Sequence, residues 1–599
     1  MKSRAKKVSR GIMIALGLLV IIAAAFIAIY AGFPGKIRET SFQGETKSEG
    51  TKTIFRQGVA YRYPGLPPLV EVAGDPYEMG LQYGVLLRPE IMTALDALGK
   101  FLNGQARGAG VPSILMTAGV KFKAAQLARR LPRRYRDEMR GVADGAGIPE
   151  STVVVVSLLY DIYQSMMACT GVLFKGPQGS IIQGRLNDMA GFGEVSRIAA
   201  IVRHKPRGLN AFIHMDLPLY LGVETGMNDK GLCCGGETLR IKKADGHGFS
   251  HPFLMRMILE EAGTLDGIYP YFDRFHQVGA DGVVWSDLRN GRGAVVEMTP
   301  TAWAKHELDG PILWDFNRFY DQALAGQQIP SYGIIGVNLD REAIASAFAK
   351  KPEYSFDDAV DFLRNQTGPD GTNYSWSGTR FPICNKRTTQ MMIFDSRSDG
   401  FYMAMGPSFA SRREIYHFFG DFAKAPELFR SAGPIDPRAE AAAEIESRML
   451  PDGESLQALR KFADAHGDDA NAQFLVAEKA FRISKPRIFG VYAEKAFRHN
   501  PSEPEYRLFA GLAAYQRKDP EGAISVLEAV VTRCPEQEIF RLAALERAWA
   551  GKDAGQSAGF GDKKRALLEI HGVSAYYKKH MKPLIDVLER KNREKGEIQ

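Results

Sequence analysis

Short apolar or alternating runs bounded by glycine, aspartate or asparagine recur through residues 56–435, and such runs predict β-strands that end in turns. The strand candidates are Val153–Val156, Thr170–Phe174, Ser180–Gln183, Ala211–His214, Gly282–Trp285, Ala294–Met298 and Met391–Phe394. Longer stretches predict helices at Pro76–Ala97, Ile114–Ala143 and Ser355–Asn365, with Pro132 splitting or kinking the second. We therefore expect a mixed domain of strands and helices.

The pattern changes near residue 437, after which strand signals largely vanish and Ala, Glu, Arg and Leu dominate. A spacing of 34 residues separates Ala477 from Gly511 and Pro501 from Pro535. The spacing resembles that of tetratricopeptide repeats, in which small residues let paired helices approach and proline ends the second helix. Residues 437–599 are thus predicted to be an all-α repeat domain with a concave surface for a protein partner. A plain helical bundle is the alternative.

The first residues have the pattern of a membrane anchor. Gly11–Tyr30 is apolar, and no charged residue occurs from Gly11 to Gly35. A helix of this length spans the roughly 30 Å of bilayer hydrocarbon. The positive-inside rule would keep a basic tail at 1–10 in the cytoplasm, followed by a transmembrane anchor at 11–33 and a linker at 34–55. We therefore expect a single-pass inner-membrane protein whose bulk is periplasmic. A cleavable signal peptide is the alternative.

The composition excludes several classes of function. Hydrophobic residues make up 45% and charged residues 24% of the 599 residues, which is typical of globular proteins. Five of the positive charges behind the net charge of +8 lie in the first ten residues, so no nucleic-acid-binding surface is expected. Five cysteines are too few for a disulfide scaffold, and the adjacent Cys233 and Cys234 are expected to be buried free thiols. The histidines form no recognised ligand motif, so no metal or other cofactor is predicted.

Three segments carry the candidate chemistry. Gly74–Gly84 (GDPYEMGLQYG) opens a predicted helix, and Asp315–Gln322 (DFNRFYDQ) contains Asn317. Ala168–Met189 (ACTGVLFKGPQGSIIQGRLNDM) places a cysteine sixteen residues before an arginine and nineteen before an aspartate. Together these segments resemble the acyl-coenzyme A:6-aminopenicillanic acid acyltransferase-like family, peptidase family C45, over roughly residues 56–430. They resemble choloylglycine hydrolases, penicillin V acylases and acid-ceramidase-like amidases more distantly.

This resemblance implies an N-terminal-nucleophile (Ntn) hydrolase. Its fold would be α+β, a four-layer αββα sandwich at 56–435 with a pro-segment to residue 168. Autoproteolysis between Ala168 and Cys169 would make Cys169 the N-terminal nucleophile. The matching catalytic residues would be Arg185, Asp188 and Asn317. Choloylglycine hydrolases carry an oxyanion-binding asparagine where this chain has Glu237 and Thr238, so that stretch is a possible oxyanion region in which a backbone N–H serves.

The chemistry of these residue types agrees with that assignment. A thiol with a pKa near 8.5 is mostly protonated at neutral pH, whereas an α-amine with a pKa of about 7.7–8.0 can accept its proton. Cleavage before Cys169 would create this base beside the nucleophile. Asp188 would orient the ammonium group, and Arg185 would favour a thiolate or an acyl oxygen. Asn317 would donate a hydrogen bond to the oxyanion, a contribution of about 3–4 kcal/mol in other acyl-transfer sites.

The sequence thus predicts a self-processing cysteine amidohydrolase or acyltransferase that attacks linear C–N amide bonds through an acyl-thioester on Cys169. The expected substrate is a small acyl-amide or an acyl-CoA-like molecule. Two alternatives remain open: an ester or phospholipid acyl hydrolase on the same fold, and an inert Ntn domain that serves as an interaction scaffold. Since every candidate catalytic residue precedes residue 437, the C-terminal region is expected to be dispensable for the chemistry.

Overall fold

The computed structural model describes residues 46–109, 112–163, 167–189, 198–241, 243–328, 334–368, 376–377, 382–448, 450–483 and 485–517, with residues 519, 522 and 526. The strands are β1 Lys47–Glu49, β2 Lys52–Phe55, β3 Gly58–Tyr61, β4 Leu69–Gly74, β5 Met167–Lys175, β6 Ile181–Met189, β7 Ala200–Pro206, β8 Phe212–Asp216, β9 Thr225–Asn228, β10 Leu232–Leu239, β11 Ala280–Asp287, β12 Arg292–Met298, β13 Trp303–Glu307, β14 Ile312–Asp315, β15 Thr388–Asp395, β16 Gly400–Met405, β17 Ile415–Phe419 and β18 Glu427–Arg430. The helices are α1 Pro76–Leu86, α2 Arg88–Ala109, α3 Ser113–Ala128, α4 Arg133–Ala146, α5 Glu150–Ser157, α6 Leu159–Tyr163, α7 His251–Glu261, α8 Tyr269–Arg274, α9 Gln322–Ala325, α10 Ile334–Phe348, α11 Phe356–Leu363, α12 Pro437–Ser447, α13 Asp452–Ala465, α14 Ala470–Arg482, α15 Pro486–His499 and α16 Pro504–Gln516.

The strands form two sheets. One has eleven strands in the order β1-β2-β3-β4-β7-β8-β9-β10-β11-β12-β13, and the other has seven in the order β14-β5-β6-β15-β16-β17-β18. Neighbouring strands run antiparallel apart from β4 and β7, which pair in parallel from Leu69↔Ile201 to Gly74↔Pro206. A parallel pair needs a long crossover connection, and here the connection contains α1 to α6, β5 and β6.

The two sheets pack face to face, with helices on both outer faces. Leu173 and Ile181 of the seven-stranded sheet contact Val284 and Val295 of the eleven-stranded sheet. Helices α1 to α7 cover the other face of the larger sheet in the largest hydrophobic cluster. Helices α10 and α11 cover the smaller sheet. The order of layers is therefore αββα, the arrangement that the resemblance implies.

The glycines of the first motif have a packing role. Helices α1 and α4 cross with their backbones in contact, because glycines recur on both. A Cβ atom added to Gly80 would lie 2.1 Å from the carbonyl oxygen of Glu138, and one added to Gly141 would lie 2.2 Å from that of Tyr77. The glycines of this motif thus allow α1 and α4 to pack closely in the helical layer. They contribute no side chain to the candidate site.

Most of the strand predictions coincide with observed strands, but the one at Val153–Val156 is wrong. These residues lie in helix α5, which begins after Pro149 and buries Val153, Val155 and Val156. A short apolar run does not distinguish a buried strand from a buried helix. The split at Pro132 is observed, since α3 ends at Ala128 and α4 begins at Arg133.

The prediction of a single transmembrane helix is corrected. Among the residues that the structure describes, no helix has both the length and the apolar character needed to cross a membrane. The longest of them, α2, has 22 residues but is amphipathic and carries Arg88, Glu90, Asp96 and Lys100. The predicted anchor at 11–33 and the basic tail at 1–10 lie outside the described residues. The single-pass inner-membrane localisation is therefore not supported.

The regular elements described after residue 436 are all helices, and they form a hydrophobic core of their own. Helices α13 and α15 begin 34 residues apart, at Asp452 and Pro486. Helices α14 and α16 do likewise, at Ala470 and Pro504. Pro535 lies outside the described residues, and the assignment to tetratricopeptide-like repeats stays a prediction.

Candidate active site

Cys169 lies on β5, inside the αββα sandwich and almost inaccessible, with 1% of its surface exposed. Strand β5 pairs with β6 so that Cys169 faces Asn187 and Gly171 faces Arg185. Because side chains alternate along a strand, Cys169 points into the space between the sheets, as Leu173 does. Its thiol donates to Asn187 Oδ1 at 3.6 Å, and Arg185 Nη2 donates to its sulfur at 3.5 Å.

Arg185 crosses from the smaller sheet to the larger one. Its Nε donates to the carbonyl oxygen of Gly236 at 3.1 Å, and its Nη1 donates to Thr225 Oγ1 at 2.7 Å. Its aliphatic portion passes Gly235, where an added Cβ atom would lie 2.9 Å from Arg185 Cδ. The guanidinium is therefore held beside the Cys169 sulfur by strands β9 and β10.

Asp188 lies on the opposite face of β6 from Arg185, since the two residues are three positions apart. It is buried and accepts hydrogen bonds from Asn385 Nδ2 at 3.2 Å and from Thr388 Oγ1 at 2.7 Å. Arg341 Nη2 also donates to it, while Arg341 Nη1 donates to the carbonyl oxygen of Cys169 at 2.8 Å. Arg341 thus links Asp188 to the backbone of Cys169.

Asn317 holds the other side of Cys169. The backbone N–H of Cys169 donates to Asn317 Oδ1 at 2.8 Å, and Asn317 Nδ2 donates to the carbonyl oxygen of Thr238 at 3.0 Å. Asn317 has a φ of +63°, in the left-handed region, and its own N–H donates to Asp315 Oδ1 at 2.9 Å. This turn after β14 directs the amide side chain at the nitrogen of Cys169.

The possible oxyanion region lies opposite the thiol. Glu237 is fully buried, with Oε1 3.6 Å from Arg185 Nε. Thr238 offers its carbonyl to Asn317, and its hydroxyl lies 2.7 Å from the hydroxyl of Tyr160. Tyr160 in turn donates to Asp281. The structure therefore brings Arg185, Asn317 and Glu237 to Cys169, with Glu237 contributing a carboxyl group beside the thiol, whereas Asp188 lies on the opposite face of β6 and reaches Cys169 through Arg341.

Burial controls the ionisation of the site. Burial raises the pKa of the Cys169 thiol well above its ordinary value, the Glu237 carboxylate adds to the rise, and Arg185 opposes it. Burial likewise raises the pKa of Glu237 well above the usual range of a carboxyl group. In the uncleaved chain, the thiol is therefore held in its neutral form, and a proton acceptor is needed to activate it.

Sequence reasoning missed Arg341, Asn385 and Thr388. Arg341 comes 172 residues after Cys169 and lies outside the three segments that carry the resemblance, so no local signal indicated it. Asn385 lies within residues 56–430, over which the resemblance extends, and could have been singled out there as a polar residue shortly before a strand. Among the described residues, no group of His, Cys, Asp and Glu side chains is arranged to hold a metal ion.

Comparisons with known proteins support an amide hydrolase or acyltransferase in general. The family model for acyl-coenzyme A:6-aminopenicillanic acid acyl-transferase matches residues 175–329, about a quarter of the chain. The N-acylethanolamine-hydrolyzing acid amidase of Caenorhabditis elegans is 22% identical over 192 residues, which cover 30% of this chain and 54% of that enzyme. The acid ceramidase of Rattus norvegicus is 25% identical over 135 residues, covering 22% of this chain and 32% of that enzyme. The chain thus spans about a third to a half of the length of these relatives.

A solved structure of a Caenorhabditis elegans N-acylethanolamine-hydrolyzing acid amidase ortholog aligns with a TM-score of 0.28 at 17% identity. The alignment covers 38% of this chain and 92% of that one. The family match begins in β5, just after Cys169, and includes Arg185, Asp188 and Asn317. Over this central segment, the chain is similar to the acyl-coenzyme A:6-aminopenicillanic acid acyl-transferase family.

Proposed function

We propose that this protein is a self-processing cysteine hydrolase or acyltransferase that acts on linear C–N amide bonds through an acyl-thioester on Cys169. One observation carries the proposal. The nitrogen of Cys169, which would become the α-amine after cleavage, is held by Asn317 Oδ1 at 2.8 Å, while Arg185 Nη2 lies 3.5 Å from the sulfur of the same residue. Nucleophile and prospective base are thus both fixed before any cleavage.

Maturation would proceed in two steps. The Cys169 sulfur attacks the carbonyl carbon of Ala168, and the C–N bond breaks as the nitrogen takes a proton, which leaves a thioester and a free amine. Water then hydrolyses the thioester, releasing the Ala168 carboxylate and the thiol. Asp188, joined to Cys169 through Arg341, would favour the ammonium form of the new amine.

Turnover would use the same groups. The amine takes the thiol proton, and the sulfur attacks the acyl carbon of the substrate. Collapse of the tetrahedral intermediate breaks the substrate C–N bond, the ammonium protonates the leaving amine, and the acyl group stays on sulfur. Water or an amine then resolves the thioester and restores the thiol. The names of the matched relatives support a small acyl-amide or acyl-CoA-like substrate.

The test is the cleavage state and the acyl adduct of the purified full-length chain. We expect a fragment of 168 residues and a larger one that begins with Cys169, identified by N-terminal sequencing. Incubation with a chromogenic N-acyl anilide should add one acyl group to the larger fragment by intact mass, with a burst of aniline. Cys169→Ala should abolish both signals, whereas Cys233→Ala, which removes another buried thiol, should retain them.

Each alternative has its own outcome. A burst with an acyl ester and none with the anilide would assign the ester-hydrolase alternative. A chain that stays intact and gains no acyl group from either substrate would contradict the proposal. The alternative of an inert domain that serves as an interaction scaffold would then remain.

A further inference from the structure

We propose that the C-terminal helices help to position the active site. Lys386 and Glu446 are the positioning residues, and they hold Asp188 in place through the turn Asn385–Thr388. This inference rests on the proposed function, in which Asp188 favours the ammonium form of the Cys169 amine. It departs from the sequence-based expectation that the region after residue 437 is dispensable for the chemistry.

Two side chains of the turn Asn385–Thr388 donate hydrogen bonds to the two oxygens of the Asp188 carboxylate. Asn385 Nδ2 donates to Oδ2 at 3.2 Å and Thr388 Oγ1 donates to Oδ1 at 2.7 Å. Asp188, Asn385 and Thr388 are all buried. Because hydrogen bonds to a carboxylate favour its charged form and fix its direction, the turn and the Arg341 guanidinium on α10 together determine where this negative charge points.

The turn is closed by its own hydrogen bonds and therefore moves as a unit. The N–H of Asn385 donates to Thr388 Oγ1 at 3.1 Å, and the N–H of Thr388 donates to the carbonyl oxygen of Asn385 at 3.1 Å. Asn385 Oδ1 accepts from the N–H of Arg387 at 2.8 Å. A displacement of any residue in the turn would therefore be passed to the two side chains on Asp188.

Lys386, inside the same turn, reaches the C-terminal helices. Its side chain is 5% exposed, and its Nζ lies 3.2 Å from Oε2 of Glu446 on α12. A buried ammonium group is stable only when it is paired, so the position of Glu446 constrains that of Lys386. Lys386 is thus paired with α12, while Asn385 and Thr388 of the same turn hold Asp188.

The flanking chain contacts the same helices. Cys384, next to the turn, packs in one cluster with Ala439 of α12. Upstream, Ser377 Oγ lies 2.7 Å from the hydroxyl of Tyr506 on α16 and 3.2 Å from Asn471 Oδ1 on α14. The segment that carries the turn is therefore anchored to the helical domain at several points.

The experiment compares two glutamates of α12 in the full-length chain. Glu446→Gln weakens the pair with Lys386. Glu440→Gln is the matched control, since Glu440 pairs with Arg413 at 2.9 Å and so joins the same helix to a residue outside the turn. In a Cys169→Ala background, hydrogen exchange of peptides covering 385–388 should rise about 3- to 10-fold with Glu446→Gln and stay unchanged with Glu440→Gln.

The second readout is the pH dependence of acylation. A displaced Asp188 favours the ammonium form of the amine less, so the amine pKa falls and the acid limb of the rate–pH profile moves to lower pH. We expect this shift, with a lower plateau rate, for Glu446→Gln and for Lys386→Met but not for Glu440→Gln.

Equal exchange in the turn for the two glutamine variants, or an unmoved acid limb in an active Glu446→Gln chain, would overturn the inference. A wild-type chain that neither cleaves nor acylates would instead contradict the proposed function. The exchange comparison would still decide whether α12 holds the turn.

Discussion

Asn317 allows a test that separates catalysis from backbone strain. Its φ of +63° suits glycine and asparagine but strains alanine by about 1 kcal/mol. Its side chain also makes two buried hydrogen bonds, to the N–H of Cys169 and to the carbonyl oxygen of Thr238. Glycine at this position removes both hydrogen bonds without the strain, whereas alanine removes them and adds it.

The magnitudes follow from these contacts. Each orphaned buried group costs about 1–3 kcal/mol, so Asn317→Gly should lower the free energy of unfolding by about 2–6 kcal/mol. Asn317→Ala should lower it by about 1 kcal/mol more. Both variants should acylate Cys169 roughly 100-fold more slowly, because the nitrogen of Cys169 loses the side chain that holds it in place.

Stability is best compared by thermal unfolding in the Cys169→Ala background, where no variant is cleaved. Acylation is followed by intact mass in chains that carry Cys169. A glycine variant that acylates at the wild-type rate would remove Asn317 from the machinery. Equal stability of the alanine and glycine variants would show that residue 317 is not left-handed.

Further predictions concern burial and packing. Burial raises the pKa of Asp281 to about 8, so the folded chain keeps a proton that the unfolded chain releases near pH 4, and stability should fall as pH rises between these values. Asp281→Asn should flatten a plot of unfolding free energy against pH by about 1.4 kcal/mol per unit, and an unchanged slope would refute this origin. A Cβ atom on Gly282 would lie 1.6 Å from Asp315 Oδ2, so Gly282→Ala should lower the unfolding temperature, whereas Gly310→Ala, which meets nothing within 4 Å, should not. Equal melting curves for these two variants would contradict the close approach of Asp315.

The sequence predicted those parts of the site that depend on local spacing. Cys169 and Arg185 lie on paired strands of one hairpin, so their contact follows from the number of residues between them. Asp188 lies on the opposite face of the sheet from both residues, which also follows from the number of residues between Arg185 and Asp188, although the motif alone does not show it. Strands such as Gly282–Trp285 were recognisable because they are apolar and bounded by turn residues.

The remainder depends on tertiary contacts that no local pattern encodes. Arg341 reaches Asp188 across 153 positions, and Asn385 reaches it across 197. The valines of α5 resemble a strand because a short buried helix and a buried strand are both made of consecutive apolar residues. The link from Lys386 to Glu446 joins two regions that composition separates, which is why the sequence suggested independent modules.

Because β4 pairs with β7, the eleven-stranded sheet contains strands from both sides of the proposed cut, and the cut itself lies in β5 of the other sheet. Strands β1 to β4 and helices α1 to α6 precede residue 168, and they supply one end of the eleven-stranded sheet and most of its helical cover. Breaking the bond before Cys169 would therefore yield two polypeptides that share one core. We expect that residues 1–168 and 169–599, made from two separate genes, would assemble into the same particle. If the second gene began with Met followed by Cys169, removal of that methionine would expose the amine directly and bypass self-cleavage.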